Sequence, residues 1–131
     1  MSKVYLSIGS NKGNRSVLIN KAIDKIEKKI GTIISRSSIY QSKSWGFDSN
    51  DFYNLCLLID TDIMPKSLLI NLKKIEKSMG REDIDGSYSD RFIDIDILFY
   101  DNIIIDSEDL KIPHPKIEIR KFVLVPMLEI T

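Results

Sequence analysis

The chain has 131 residues, enough for one domain with its own buried core, and a second domain is not expected. Nineteen Lys and Arg balance nineteen Asp and Glu, which excludes a chain-wide field for recruiting nucleic acid or an anionic membrane, so any anion site must be local. The single cysteine, Cys56, excludes an internal disulfide, and the lack of an apolar run near ~20 residues or of a secretion signal points to the cytoplasm.

In chain order, residues 3–8 alternate and are rich in β-formers, then meet the turn cluster Gly9-Ser10-Asn11, which predicts a first strand. Over residues 15–30, Leu18, Ala22, Ile23, Ile26 and Ile30 recur at helical spacing, with Gly31 placed for a left-handed cap. Residues 32–40 are β-branched and predict a second strand, and residues 52–60 a third, separated by an irregular loop over 41–51. Pro65 suits the first turn of a second helix, whose stripe of Leu68, Leu69, Leu72, Ile75, Glu76 and Met79 stops at Gly80.

A long polar loop over 81–92 follows, and then a clearly alternating strand over 93–100. Asp101-Asn102 offers a hairpin turn into a strand over 103–105, and a short helix is expected around 116–124. This order predicts an α+β fold: a ferredoxin-like β-α-β-β-α-β sandwich with an additional β-hairpin, in which both helices pack on one face of an antiparallel sheet. A single domain over 1–131 is expected, and such a fold by itself specifies no function.

Asp90 to Tyr100 reads DRFIDIDILFY, the strongest local signal for chemistry. Alternation in a strand puts Ile93, Ile95 and Ile97 on one side and Asp94 and Asp96 on the other, with the two aspartate Cα atoms ~6–7 Å apart. Two carboxylates so placed can converge on magnesium, a hard ion that keeps positions open for water and substrate phosphates. They equally fit the solvated face of a half-buried sheet.

The loop before this strand is bracketed by Arg81 and Arg91, whose guanidinium forks suit phosphate oxygens, and it reads either as a binding lid or as a solvated turn. His114, the only histidine, lies between two prolines and suits a phosphate contact or a stiff turn. Arg120 and Phe122 pair a charge with an aromatic face, alternatively a surface arginine beside a core ring. Trp45-Gly46-Phe47 leads into Phe52 and Asn54, where an amide near rings is what a flat heterocycle requires, although packing explains Phe52 as well. Lys73, Lys74 and Lys77 are expected to form a solvated helix face, and Cys56, inside LCLLI, a buried inert thiol.

Taken in order, YLSIGSN, SSIYQSKSWG, DFYN, the arginine-led DIDILFY and IPHPKIEIRKFVLVPMLEI resemble the hydroxymethyl-dihydropterin pyrophosphokinases over nearly the whole chain. The resemblance implies transfer of pyrophosphate from ATP to the hydroxymethyl group of a dihydropterin, releasing AMP, in folate biosynthesis. It implies two magnesium ions held by Asp94 and Asp96, with Arg81 and Arg91 completing the catalytic set. Glu76, Arg91, Ile97, His114 and Arg120 are implied to bind ATP. Ser42, Trp45, Phe52, Asn54 and Phe122 are implied to hold the pterin, the two phenylalanines by stacking on it.

The implied partners are these small molecules, with no nucleic acid and no membrane, and a monomer is expected. Three positions depart from the family pattern: Asp83 where a second lid arginine is usual, Ser89-Asp90 where Gly-Pro is frequent, and Pro115 where tyrosine is common. With a C-terminus shorter than is usual for the family, these departures motivate the alternative of a catalytically weakened module that binds nucleotide or pterin.

Overall fold

The computed structural model describes residues 1–42, 51–80, 93–115 and 121–130, with only the backbone of residues 42 and 121–124. Its elements are β1 (Ser2–Ser10), α1 (Arg15–Lys29), β2 (Thr32–Arg36), β3 (Tyr40–Ser42), β4 (Phe52–Thr61) and α2 (Pro65–Ser78). They continue with β5 (Asp94–Tyr100), β6 (Ile105–Asp106), β7 (Lys111–Ile112) and α3 (Lys121–Glu129). The main sheet has the order β2-β4-β1-β5, with β3 paired to β4 as well, and every pairing is antiparallel.

Burial on one face of the sheet follows the alternation of the strands. Val4, Leu6 and Ile8 of β1, Leu55, Leu57 and Ile59 of β4, and Ile95 and Ile97 of β5 meet Ile19, Ala22, Ile23 and Ile26 of α1 and Leu68, Leu72 and Ile75 of α2 in one core. Both helices therefore pack on the same face, as the order of elements predicts. On the opposite face Cys56 and Leu98 are buried against Tyr5, Phe99, Met127 and Ile130. That cluster belongs to α3, which packs on β4 and β3 and leaves the sheet covered from both sides.

Local chemistry sets the ends of the helices. The Asn14 side chain accepts from the Val17 N–H at 3.3 Å and caps α1, while Pro65 opens α2, where a missing N–H costs nothing. α2 stops at Gly80, as expected, and Gly80 has φ 94°, in the left-handed region.

Four expectations need correction. Gly31 has no left-handed backbone; it is required because a Cβ there would lie 2.0 Å from the Asp60 carbonyl oxygen, where the end of α1 crosses β4. The single strand expected over 32–40 is two, since residues 37–39 leave the ladder while Ser37 bonds Cys56 through backbone and hydroxyl. The Asp101-Asn102 turn exists, with Asp101 at φ 47°, but it does not pair residues 103–105 with β5; the extra hairpin is β6 with β7. The last helix runs to Glu129, further than its expected end, because Pro126 is accommodated inside it.

Candidate active site at the outer edge of β5

β5 is the outer strand of the sheet beside β1, and its free edge is where the chemistry-bearing side chains gather. Asp94 and Asp96 are half-buried and alternate with the buried Ile95 and Ile97, so the two carboxylates share one face of the strand. Both line a cavity of about 300 Å³ between β5, α2 and the segment after β6. Leu69, Lys73 and Glu76 of α2 form one wall, and Glu108, Asp109, Lys111 and His114 contribute to the opposite one.

Two hydrogen bonds fix the edge that carries the aspartates. The Ile95 N–H, between Asp94 and Asp96, donates to Glu76 Oε2 at 2.7 Å, and Glu76 is only 3% exposed. The His114 N–H donates to the Leu98 carbonyl oxygen at 3.0 Å, which lays the residues after β7 along the same edge. Satisfying an edge strand's outward groups in this way keeps it straight and prevents pairing with other strands. The Ile112–Pro113 peptide just before His114 is cis.

The sheet register connects this cavity to the residues expected at the heterocycle. Asp94 stands opposite Gly9, Gly9 opposite Asn54, and Asn54 opposite Tyr40, in one row across β5, β1, β4 and β3. With neighbouring strands ~4.8 Å apart, the Cα atoms of Asn54 and Asp94 are about 10 Å from each other. Asn54 is buried, and its side chain folds over Gly9: a Cβ at Gly9 would lie 2.7 Å from Asn54 Oδ1 and 3.8 Å from a Phe52 ring carbon. Gly9 is therefore the bare floor on which both side chains rest.

Phe52 is half-buried at the start of β4, which is anchored from outside the sheet. The Arg15 guanidinium lies 4.0 Å from the centre of the Tyr53 ring and donates to the Asp51 carbonyl oxygen at 2.6 Å. Gln41 Nε2 donates to Asp51 Oδ2 at 2.9 Å, tying β3 to the same point. The Cys56 thiol, further along β4, is pushed up to about 12 by burial and is inert, as expected.

The structure thus brings Glu76, Asp94, Asp96, Ile97 and His114 to one cavity. Phe52 and Asn54 are not among its lining residues and sit along the same sheet, and Ser42 lies opposite Phe52 in the β3–β4 register. Position 122 is in the first turn of α3, on the face of the sheet that carries Leu98. Trp45, Arg81, Arg91 and Arg120 lie outside the described residues.

Lys73 is exposed, as its assignment to a solvated face expects, and it also borders the cavity, a position that sequence reasoning missed. Its spacing to Leu69 and Glu76, four and three residues, places all three on one stripe of α2, and that pattern was available in the sequence. Lys111, two residues beyond the acidic pair Glu108 and Asp109, was also missed; no motif marks it.

As a donor set for a divalent ion, the site offers two carboxylates on a rigid strand, open to a cavity. Among the described residues no group of three or more His, Cys, Asp or Glu could hold a metal by itself. The arrangement fits magnesium, which commonly takes one or two carboxylates and completes its shell with water and substrate phosphates, better than a metal needing a full protein cage.

The fold is shared with solved HPPK-DHPS chains. It covers 95% of this chain and 38% of the Plasmodium falciparum HPPK-DHPS chain crystallised with pteroate, with a TM-score of 0.75 at 18% identity. Residues 5–131 match the family described as 7,8-dihydro-6-hydroxymethylpterin-pyrophosphokinase, and the chain belongs to it. Among similar proteins, the 2-amino-4-hydroxy-6-hydroxymethyldihydropteridine pyrophosphokinase of Aquifex aeolicus is 44% identical over 99% of this chain and 81% of its own length. The Porphyromonas gingivalis protein of that name is 34% identical over 99% of this chain and 91% of its own. The Folic acid synthesis protein fol1 of Pneumocystis carinii is 43% identical over 98% of this chain, which spans only 17% of that longer protein.

Proposed function

We propose that this chain transfers the pyrophosphoryl group of ATP to the hydroxymethyl oxygen of 6-hydroxymethyl-7,8-dihydropterin and releases AMP, as a step of folate biosynthesis. The observation that carries the reading is the row of Asp94, Gly9 and Asn54 across adjacent strands. It sets the Cα of Asp94 about 10 Å from that of the buried Asn54, a spacing that supports phosphates at the first and a ring edge at the second.

In this reading Asp94 and Asp96 hold magnesium, two ions being expected, and the metal would supply charge neutralisation at the transferring phosphates. Asn54 reads the pterin edge with backbone groups near Ser42 and Trp45, and Phe52 and Phe122 sandwich the ring. Arg81, Arg91, His114 and Arg120 bind the phosphates, with Glu76 and Ile97 beside the nucleotide. The hydroxymethyl oxygen attacks the β-phosphorus in line and gives up its proton to water, a new P–O bond forms, and the bond from the β-phosphorus to the α,β-bridging oxygen breaks, so that AMP departs. The protein's share is positioning and electrostatics, because phosphoryl-type transfer asks for little covalent chemistry from side chains.

Glu76 contributes indirectly through its bond to the Ile95 N–H, which keeps both aspartates on a straight strand. Lys73, on the cavity wall, adds positive charge that offsets the acids opposite it. Cytoplasmic location and a monomeric state complete the proposal, and among the described residues no helix is long and apolar enough to cross a membrane.

The test is to incubate the protein with ATP, magnesium and the pterin alcohol and to quantify nucleotides. One AMP per pterin pyrophosphate is expected. ADP would mean a different transfer, and nucleotide binding without AMP would leave only the weakened binding module.

A further inference from the structure

Glu129 is the last residue of α3, and its carboxylate reaches across to the first half of the chain. Oε1 accepts the Tyr40 hydroxyl at 2.6 Å, and Oε2 accepts the Ser38 backbone N–H at 2.5 Å. Both donors belong to the stretch leading from β2 into β3. When both oxygens of one carboxylate are engaged by a single short segment, direction is fixed as well as distance.

That segment is itself fastened to β4. The Ser37 N–H donates to the Cys56 carbonyl oxygen at 2.9 Å, and the Cys56 N–H donates to Ser37 Oγ at 2.9 Å. Tyr40 stands directly opposite Asn54. The bridge from Glu129 therefore ends on the strand pair that carries Asn54 and Phe52. At its other end it holds a helix whose first turn contains position 122, ~10 Å away along the helix axis at 1.5 Å per residue. Pinning one end of a short helix sets the angle at which its other end meets the sheet.

We infer that Glu129 is a positioning residue for the pterin site: through Tyr40 and Ser38 it sets the separation between α3 and the β3–β4 edge, and so the opening between position 122 and Phe52. The inference rests on the pterin reading proposed above. The protonation states agree with the geometry, since the hydrogen bond from Tyr40, followed by that from Ser38, holds the Glu129 carboxyl below its ordinary range. The same bond raises the Tyr40 hydroxyl, which stays a donor at neutral pH.

The experiment compares wild type with Tyr40→Phe, Glu129→Gln, Glu129→Ala and the double variant Tyr40→Phe/Glu129→Ala. Affinity for the pterin alcohol is measured calorimetrically in the presence of a non-hydrolysable ATP analogue, with affinity for that analogue and the urea midpoint measured alongside. Tyr40→Phe and Glu129→Ala should each weaken pterin binding roughly threefold to tenfold, the scale of the net contribution of one solvent-exposed hydrogen bond, with analogue affinity within about twofold of wild type. Glu129→Gln, which keeps one acceptor oxygen, should fall between, and the double variant should be no weaker than Glu129→Ala, because both act on one bridge.

Unchanged pterin affinity overturns the inference, as does equal loss for both ligands, which would mean general loosening. If Glu129→Ala does not fold, Tyr40→Phe, which removes one oxygen, gives the answer alone. A wild-type protein that binds no pterin alcohol would overturn the proposed function; one that binds and converts it while the variants match it would overturn only the positioning role.

Discussion

Replacing Glu76 by alanine removes the acceptor of the Ile95 N–H and leaves that group without its 2.7 Å partner beside a cavity wall. Glu76 is 3% and Ile95 5% exposed, so water has little access to take its place. A buried donor left unsatisfied costs about 1–3 kcal/mol, and for a domain of this size that corresponds to a fall in melting temperature of roughly 4–12 °C. Glu76→Gln keeps an oxygen at the same reach and should lose no more than about 1 kcal/mol. Because Ile95 separates Asp94 from Asp96, Glu76→Ala should also lower turnover by more than the unfolded fraction explains, whereas Glu76→Gln should retain most of it. Thermal and urea unfolding, with AMP release measured well below the melting temperature, test both halves. An alanine variant within about 0.5 kcal/mol of wild type, or a glutamine variant as damaged as alanine, would refute the reasoning.

Gly31→Ala places a Cβ 2.0 Å from the Asp60 carbonyl oxygen, and backbone must move, so a loss of about 1–3 kcal/mol or more is expected in urea unfolding. Gly9→Ala puts a Cβ too close only to Asn54 Oδ1, at 2.7 Å, the end of a side chain, and in ordinary contact with Phe52; KM for the pterin alcohol should rise several-fold while KM for ATP stays put. The Glu129 bridge also makes stability depend on pH. A carboxyl held low in the fold contributes stability above the ordinary glutamate range near about 4.3 and loses it as pH falls through its depressed value. Tyr40, raised in the fold, contributes below the ordinary tyrosine range near about 10 and loses this as pH rises through its raised value. The urea midpoint of wild type should accordingly exceed that of Glu129→Gln at neutral pH, with the gap closing as pH falls through the depressed range of that carboxyl.

β1, β4, β5 and the first two helices were legible because their core-facing apolar residues recur at one period, two in the strands and 3.6 in α1 and α2, even though α3 buries part of the strands' other face as well. Asp94 and Asp96 were legible for the same reason: charges in a strand whose other face is Ile, Ile, Ile must share the opposite side. The break at residues 37–39 was not, because Ser37 leaves the ladder only to bond Cys56, a tertiary contact that no local pattern announces. Gly31 misled in an instructive way. A glycine after a helix usually serves a left-handed cap, but here its missing Cβ makes room for a strand. The bridges from Glu129 and Glu76 were hidden likewise, since each spans residues far apart in sequence and joins elements whose packing must be known first.

The most direct test of the account is binding of manganese, a spectroscopic stand-in for magnesium, followed by electron paramagnetic resonance in the presence of a non-hydrolysable ATP analogue. Wild type should bind the ion tightly only when the nucleotide is present, and Asp94→Asn and Asp96→Asn should each weaken that binding on the order of tenfold or more while remaining folded. Variants that bind manganese and the nucleotide as wild type does would contradict the claim that these two carboxylates grip the metal.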